Sequence, residues 1–203
     1  MNTLANAESI KKTEEALKAN GFEPIHVKSK EAALEKVKEL IPAGASVMNG
    51  ASKTLQEIGL IEYLKSGEHP WNNLQDPILA EPDQARQAQM RREAVVSDFY
   101  LGSVHALTET GELTVASNTG SQLPHLVFTS PNLVLVVGAN KIVPTLKDAF
   151  VRLDKQVLPL ENERIQGLYG IDTTWAKTVI LHKENTMLGR KVYVVIVDEQ
   201  LGF

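Results

Sequence analysis

Two uninterrupted apolar segments constrain the fold more than any other feature of this sequence. Residues 133–138 read LVLVVG, and residues 192–197 read VYVVIV. A strand with one solvent-exposed face alternates apolar and polar side chains. A strand of a parallel sheet is covered by helices on both faces and is therefore apolar throughout. Both segments also have the usual length of a strand. The sequence therefore predicts a parallel sheet buried between two layers of helices.

The N-terminal part of the chain has the alternation that such a sheet requires. Helical spacing over residues 4–20 is followed by an extended segment, 23–27, and by a second helix that Ser29 caps. A strand over residues 45–48 and a third helix complete the pattern. Alternation of helices and strands is typical of an α/β fold, because each helix connects two parallel strands.

The rest of the chain adds an insert to this pattern. Residues 98–107 and 112–116 flank a turn and so form a hairpin-like insert. A helix over residues 144–154, with Phe150 facing inward, then connects the two apolar strands. The predicted fold is α/β, with a Rossmann-like, mostly parallel sheet flanked by helices and a small hairpin insert. Because no linker divides the chain, residues 1–203 are expected to form a single domain.

The composition excludes several classes of function. The 203 residues contain no cysteine, which rules out disulfides, thiolate metal sites, cysteine-ligated clusters and a cysteine nucleophile in this chain. No pair of histidines has metal-binding spacing, so no metal site is expected. The net charge of −4 argues against a nucleic-acid partner. No segment approaches the ~20 apolar residues of a membrane span. No signal peptide is evident, and a cytoplasmic protein is expected.

A small-residue loop directly after the second predicted strand is the first candidate ligand site. It contains Asn49, Gly50, Ser52, Lys53 and Thr54. Ligands of open α/β sheets bind beyond the carboxyl ends of the strands. Glycine lets the backbone approach an anion closely, the hydroxyls are donors, and the lysine adds a positive charge. The alternative is a capped helix in which Ser52 only accepts from backbone N–H groups.

A second loop of the same type follows the strand predicted over residues 112–116. Its candidate ligand-binding residues are Asn118, Thr119, Gly120 and Ser121. Small and hydroxylated residues after a strand suit a phosphate or a carboxylate. The alternative is a plain turn, because asparagine and glycine favour turns in any case.

Two charged residues near these loops are candidates for chemistry. Glu109, on the predicted turn, is able to act as a general base or as a covalent carboxylate, and the alternative is a solvated turn residue. Lys141 follows the strand at 133–138 and is able to reach back over the sheet end to an anionic ligand. Its alternative is a solvated loop lysine. Trp175 lies in an irregular segment, which suits either a packing anchor or a ligand contact.

Three segments of the chain match signatures of a known family. They are SDFYLGSVHALTETGEL (97–113), VVGANKIVP (136–144) and VVIVDEQLGF (194–203). They resemble the LUD (lactate utilisation) domain family, LutC/YkgG-like, and the resemblance extends over essentially the whole chain. It implies a fold of the NagB/RpiA/CoA transferase-like superfamily, whose members bind phosphosugars, folates, nucleotides or CoA near the carboxyl ends of the sheet.

The resemblance also bears on individual loops. In ribose-phosphate isomerases of that superfamily a Gly/Ser/Thr loop holds phosphate, and residues 49–54 are similar to it in position and type. In CoA transferases a catalytic glutamate precedes a glycine on a turn, to which residues 109–111 are loosely comparable. Two features of relatives are missing here: an arginine in the loop at 117–124 and a cysteine cluster near 167–175. These departures leave the ligand, the cofactor and cluster-linked electron transfer open.

The resemblance implies a role in metabolism. LUD proteins are associated with the oxidation of L-lactate to pyruvate alongside iron–sulfur partners. The expected function is therefore lactate or organic-acid utilisation, with a small anionic metabolite or cofactor bound at the two loops. The alternatives are a non-catalytic assembly partner of an iron–sulfur lactate oxidation complex and a metabolite-sensing regulator. The apolar residues Leu201 and Phe203 suit burial in the fold or in a homo-oligomer.

Overall fold

The computed structural model describes residues 3–203. The first part of the chain alternates helices and strands, namely α1 Ala7–Ala19, β1 Glu23–Val27, α2 Lys30–Leu40, β2 Ser46–Asn49, α3 Lys53–Glu57, α4 Leu60–Ser66 and β3 Asn72–Asn73. The middle contains α5 Gln75–Ala80, α6 Gln84–Glu93, β4 Phe99–Gly102, β5 Ala106–Thr108 and β6 Leu113–Ser117. The last part contains β7 Asn132–Gly138, β8 Ile142–Val143, α7 Leu146–Arg152, α8 Leu158–Tyr169, β9 Lys177–Leu181 and β10 Lys191–Val197.

The main sheet has six parallel strands in the order β1-β10-β7-β4-β2-β3. Successive side chains of a strand point to opposite faces. Accordingly, Leu133, Leu135 and Val137 of β7 belong to one hydrophobic core, and Val134 and Val136 belong to the other. All five side chains are completely buried. The prediction that the apolar segments are strands covered on both faces is confirmed.

Helices cover both faces of this sheet. Helix α1 packs on one face, together with a second sheet that is described below. Helices α2, α3 and α4 pack on the other face. The buried side chains that make these contacts are Ile10 and Leu17 of α1, Ala33 and Val37 of α2, Leu55 of α3, and Leu60 and Leu64 of α4. The predicted cap of α2 is confirmed, because the Ser29 side chain accepts from the backbone N–H of Ala32. Within residues 3–203, none of the helices combines the length and the apolar composition that crossing a bilayer demands.

The predicted hairpin is part of a second sheet of four strands, in the order β8-β5-β6-β9. Strands β5 and β6 are antiparallel and are connected through Gly111, whose φ of 87° favours glycine. Strand β9 pairs antiparallel with β6, and β8 pairs parallel with β5. The hairpin insert therefore exists, and two strands from the later chain extend it into a sheet.

The structure differs from the prediction over residues 98–107, which form two strands in different sheets. Strand β4 is an inner strand of the main sheet, between β2 and β7, and only β5 belongs to the hairpin. Between the two strands, the Nζ of Lys141 donates to the carbonyl oxygen of Val104 at 3.1 Å. The Nε of Arg152 donates to the carbonyl oxygen of His105 at 2.9 Å. These two contacts provide hydrogen-bond donors for the carbonyl groups of Val104 and His105, which lie at the bend between the two sheets.

Helix α7 ends earlier than predicted, and a π-helical turn over residues 153–157 leads from it into α8. The first turn of α7 is fixed by a capping box between Thr145 and Asp148. The prediction that Phe150 faces inward is wrong. Its side chain is 39% exposed and stacks on Trp175, with ring centroids 5.8 Å apart.

Candidate functional site

A cavity of about 660 Å³ lies at the carboxyl ends of β2, β4 and β6. Its walls consist of the loops that follow these strands, the π-helical turn before α8, α8 itself and the segment that follows α8. In parallel α/β sheets this edge is where ligands bind, because the loops after neighbouring strands converge there. The cavity is therefore the candidate functional site.

Most of the first predicted loop borders this cavity. Gly50, Ser52, Lys53 and Thr54 line it, whereas Asn49 is buried at the end of β2, where its amide donates to the carbonyl oxygen of Gly50 at 3.2 Å. The Ser52 hydroxyl caps α3 by accepting from the backbone N–H of Leu55 at 3.3 Å. Helix α3 has only five residues. Its dipole is therefore small.

A side chain at position 50 would not fit. A Cβ atom on Gly50 would lie 2.7 Å from the phenolic oxygen of Tyr100 and 3.4 Å from the side-chain oxygen of Gln122. The Tyr100 hydroxyl donates to the side-chain oxygen of Gln122 at 3.3 Å, which connects β4 with the second loop. The glycine is needed because the backbone passes close to an aromatic ring.

Most of the second predicted loop also lines the cavity. Asn118, Thr119 and Ser121 border it, and Gly120 lies just outside it with a φ of 85°. The Nζ of Lys177 donates to the carbonyl oxygen of Asn118 at 3.0 Å, which attaches the loop to β9. The structure thus brings the two predicted loops to one cavity.

Lys141 lies directly behind the cavity lining, and its side chain is 3% exposed. Its Nζ donates to the hydroxyl of Thr54 at 2.8 Å and to the hydroxyl of Ser103 at 3.1 Å. Both acceptors belong to residues that line the cavity. Burial lowers the pKa of Lys141 to about 7, with a further contribution from the charge of Arg152 and an opposing one from Glu57. Lys141 does reach back over the sheet end, where it connects two loops of the site.

Glu109 is not part of this cavity. Its carboxylate accepts from the Ser9 hydroxyl at 2.7 Å and from the Lys12 ammonium at 2.8 Å, both on α1. These two hydrogen bonds lower its pKa. The turn with Glu109 precedes β6 and the second loop follows β6, so a strand of five residues separates them. At about 3.3 Å per residue the strand is roughly 17 Å long. Closeness in sequence therefore does not place Glu109 in the site.

Replacing Glu109 with glutamine is expected to weaken the attachment of α1 to the second sheet. The substitution removes the charge that Lys12 contacts, and because Lys12 is largely exposed we expect a loss of about 0.5–1 kcal/mol in the free energy of unfolding. Urea denaturation measures this loss. A variant that is as stable as the wild type would contradict the structural role of this carboxylate.

The structure adds cavity residues that the sequence did not indicate. The apolar ones include Ile165, Tyr169 and Ile171, and the polar ones include Lys65, Ser103, His105, Glu161, Arg164 and Asp172. The Nδ1 of His105 accepts from the backbone N–H of Ala116 at 3.1 Å. Burial and the charges of Lys141 and Arg152 lower the pKa of His105 to about 3, so the ring is neutral at pH 7. From the sequence, His105 is noted only for its closeness to the two loops and Trp175 only for its irregular segment, because neither a lone histidine nor an aliphatic residue has a diagnostic spacing.

The charged side chains that line the cavity are three cations, Lys53, Lys65 and Arg164, and two anions, Glu161 and Asp172. Arg164 pairs with Glu161 at 2.6 Å, and both line the cavity. Lys53 lies 4.0 Å from Glu57, whereas Lys65 lines the cavity without an ion pair among residues 3–203. Together with the buried Lys141, these groups favour an anionic ligand. Within the same residues, no group of three or more His, Cys, Asp or Glu side chains is arranged to hold a metal ion.

Comparison with known proteins agrees with this architecture. The model of the LUD domain family matches residues 10–197. Curated proteins give no match. Among solved structures, the chain is similar to a DUF162 family protein from Deinococcus radiodurans, with a TM-score of 0.57 and 16% sequence identity. The alignment covers 96% of this chain and 99% of that chain, and at this identity it supports the fold alone. Because the family model extends over most of the chain, this protein belongs to the LUD domain family.

Proposed function

We propose that this protein binds a small organic anion in the cavity at the strand ends and serves the utilisation of lactate or a related organic acid. Membership of the LUD domain family supports the metabolic role. The chemistry of the cavity supports the anion. The observation with the most weight is the buried ammonium group of Lys141 between two of the loops that form the cavity.

Lys141 favours an anion in its protonated form, and an anion beside it in turn favours that form. Its three hydrogen-bond partners within residues 3–203 are uncharged oxygens, the hydroxyls of Thr54 and Ser103 and the carbonyl of Val104. A buried cation with uncharged partners costs free energy, and a nearby opposite charge reduces this cost. A carboxylate or phosphate in the cavity would be such a charge.

The hydroxyl of Thr54 supports the same conclusion. It accepts a hydrogen bond from the Lys141 ammonium, so its own proton is available to a ligand oxygen. At the mouth of the cavity, Lys53 and Lys65 add exposed positive charge that attracts anions from solution. The site therefore offers hydroxyl donors at its base and cations around them.

Replacing Gly50 with valine is expected to weaken binding of L-lactate, pyruvate or inorganic phosphate by at least tenfold. The new side chain would collide with the Tyr100 hydroxyl and displace the first loop. Thr54→Val tests the hydroxyl without adding bulk. Isothermal titration calorimetry gives the affinities. In thermal unfolding, a ligand at 100 times its dissociation constant stabilises the wild type by about 2.7 kcal/mol.

The matched control is Glu109→Gln, because Glu109 lies outside the cavity. This variant is expected to bind the same anions as tightly as the wild type. If no anion binds, or if Gly50→Val and Thr54→Val both leave the affinity unchanged, the proposed site is wrong. Co-purification with iron–sulfur subunits would then test the alternative role as an assembly partner.

A further inference from the structure

The cavity has an apolar wall, formed by Ile165 and Tyr169 of α8 and by Ile171 and Trp175 of the segment that follows. Charged side chains of the same two segments, Glu161, Arg164 and Asp172, also line the cavity. Tyr169 is 69% exposed and Ile171 is 61% exposed. None of the residues of α8 is buried in the core. Since apolar side chains are usually covered, their concentration in a concave surface points to a ligand that covers them.

Trp175 is held in place within this wall. Phe150 stacks on it, with ring centroids 5.8 Å apart and an angle of 18° between the ring planes. The indole N–H donates to the hydroxyl of Thr178. The stacking and the hydrogen bond fix the ring before any ligand arrives, so the indole would lose little additional freedom when a ligand stacks on it.

The volume of the cavity is larger than a small acid requires. At about 660 Å³ it falls in the range of ~300–1,000 Å³ that is typical of sites for drug-sized ligands. A three-carbon acid at the polar loops would leave the wall of Tyr169, Ile171 and Trp175 uncovered. The polar loops and the apolar wall therefore suit two different parts of one ligand.

We infer that the ligand is an aromatic organic anion, whose planar ring stacks on Trp175 while its carboxylate or phosphate contacts the polar loops. This inference rests on the proposed function, because it uses the same anion site. Tyr169 and Ile171 contact the edge and the remaining surface of the ring. The ring subsite, defined as Tyr169, Ile171 and Trp175, adds affinity for anions that carry a planar ring, whereas anions without a ring bind at the polar loops alone.

The test compares probes that contain the ring, the anionic group or both. Phenyl phosphate and benzoate contain both, inorganic phosphate contains only the anion, and phenol contains only the ring. We expect phenyl phosphate to bind about tenfold more tightly than inorganic phosphate in calorimetric titrations. The benzoate arm shows whether a carboxylate or a phosphate is preferred. The tryptophan fluorescence, excited at a wavelength that phenyl phosphate does not absorb, is expected to change on binding in the wild type. It is expected to stay constant in Trp175→Phe, in which Trp71 is the remaining tryptophan.

Variants separate the ring subsite from the anion site. Trp175→Ala is expected to reduce the affinity for phenyl phosphate about tenfold and to leave that for inorganic phosphate within about twofold. Trp175→Phe is expected to retain most of the affinity because it keeps a planar ring. Tyr169→Ala is a second test, and its exposed position makes misfolding a minor concern. Phe128→Ala is the control, because Phe128 is an aromatic residue with 73% exposure outside the cavity.

The outcomes distinguish this inference from the proposed function. If phenyl phosphate binds no more tightly than inorganic phosphate, the ring subsite is wrong and the anion site stands. If the advantage of phenyl phosphate persists in both Trp175→Ala and Tyr169→Ala, the ring binds elsewhere and the inference is likewise overturned. If neither phosphate probe, nor benzoate, nor L-lactate binds, the proposed function fails as well.

Discussion

The free energy of unfolding of the wild type is expected to rise by about 3 kcal/mol between pH 7 and pH 9.5, and replacing Lys141 with methionine is expected to abolish this rise. Methionine has a similar length and no charge, so it fills the same buried space. The variant is expected to have a nearly flat profile over this interval. Lys141 therefore decides how the stability of this protein responds to alkaline pH.

The direction of the effect follows from proton binding. In the folded protein, burial lowers the pKa of Lys141 to about 7, from 10.5 for an exposed lysine. Between these values the unfolded chain binds this proton and the folded chain releases it. Stability rises with pH wherever the unfolded state binds more protons. The contribution of Lys141 is thus complete above pH 10.5 and is lost as the pH falls to 7.

Urea denaturation of the wild type and of Lys141→Met at a series of pH values measures this difference. Lys11→Met is the control, because Lys11 is an exposed residue of α1 whose ion pair with Glu15 spans 3.9 Å. This control is expected to keep the full pH dependence of the wild type. An equal rise in stability in Lys141→Met would show that Lys141 is not responsible.

Replacing Gly138 with alanine is expected to destabilise the protein by about 3 kcal/mol. Gly138 is the last residue of β7, and a Cβ atom there would lie 2.7 Å from the backbone nitrogen of Leu201 and 2.8 Å from the carbonyl oxygen of Glu199. It would also collide with the side-chain oxygen of Asn140. Two of these three atoms are backbone atoms, which cannot rotate away. The segment that follows β10 has to move for the methyl group to fit.

The matched control, Gly167→Ala, is expected to change the free energy of unfolding in the opposite direction. A Cβ atom on Gly167 would have no neighbour within 4 Å, and the residue is helical. Alanine favours a helix over glycine by up to about 1 kcal/mol, so this variant should be slightly more stable than the wild type. Thermal unfolding distinguishes the two, because in a chain of this size 1 kcal/mol changes the melting temperature by about 2–4 °C. Equal melting temperatures for the two variants would contradict the close packing around Gly138.

The parts of the fold that sequence could predict are those in which neighbouring residues determine the structure. The apolar segments of β7 and β10 and the cap at Ser29 depend on local pattern, and all were predicted correctly. The bend between β4 and β5 could not be predicted in this way. It depends on Lys141 and Arg152, which lie 37 and 47 residues away from the carbonyl groups they contact.

The residues of the candidate site also fall into two groups, those that local sequence predicts and those that it does not. Loops after strands were recognisable from their small and hydroxylated residues, and the structure brings both loops to one cavity. The apolar wall was not recognisable, because Tyr169 and Ile171 belong to a segment with no periodic pattern. The interpretation of Glu109 as a catalytic residue assumed that it lies beside the second loop. The intervening strand β6 and the contacts with Ser9 and Lys12 place it elsewhere.

The position of β10 in the main sheet has a consequence for the order of folding. Strand β1, near the start of the chain, pairs within this sheet with β10 alone, and β10 also covers the open side of β7. While the chain is being synthesised, β1 leaves the ribosome long before its partner exists. The sheet is therefore completed only after residues 191–197 have emerged. Until then, β7 has an unpaired apolar edge that invites association with other chains, which makes chaperone binding most useful at this late stage.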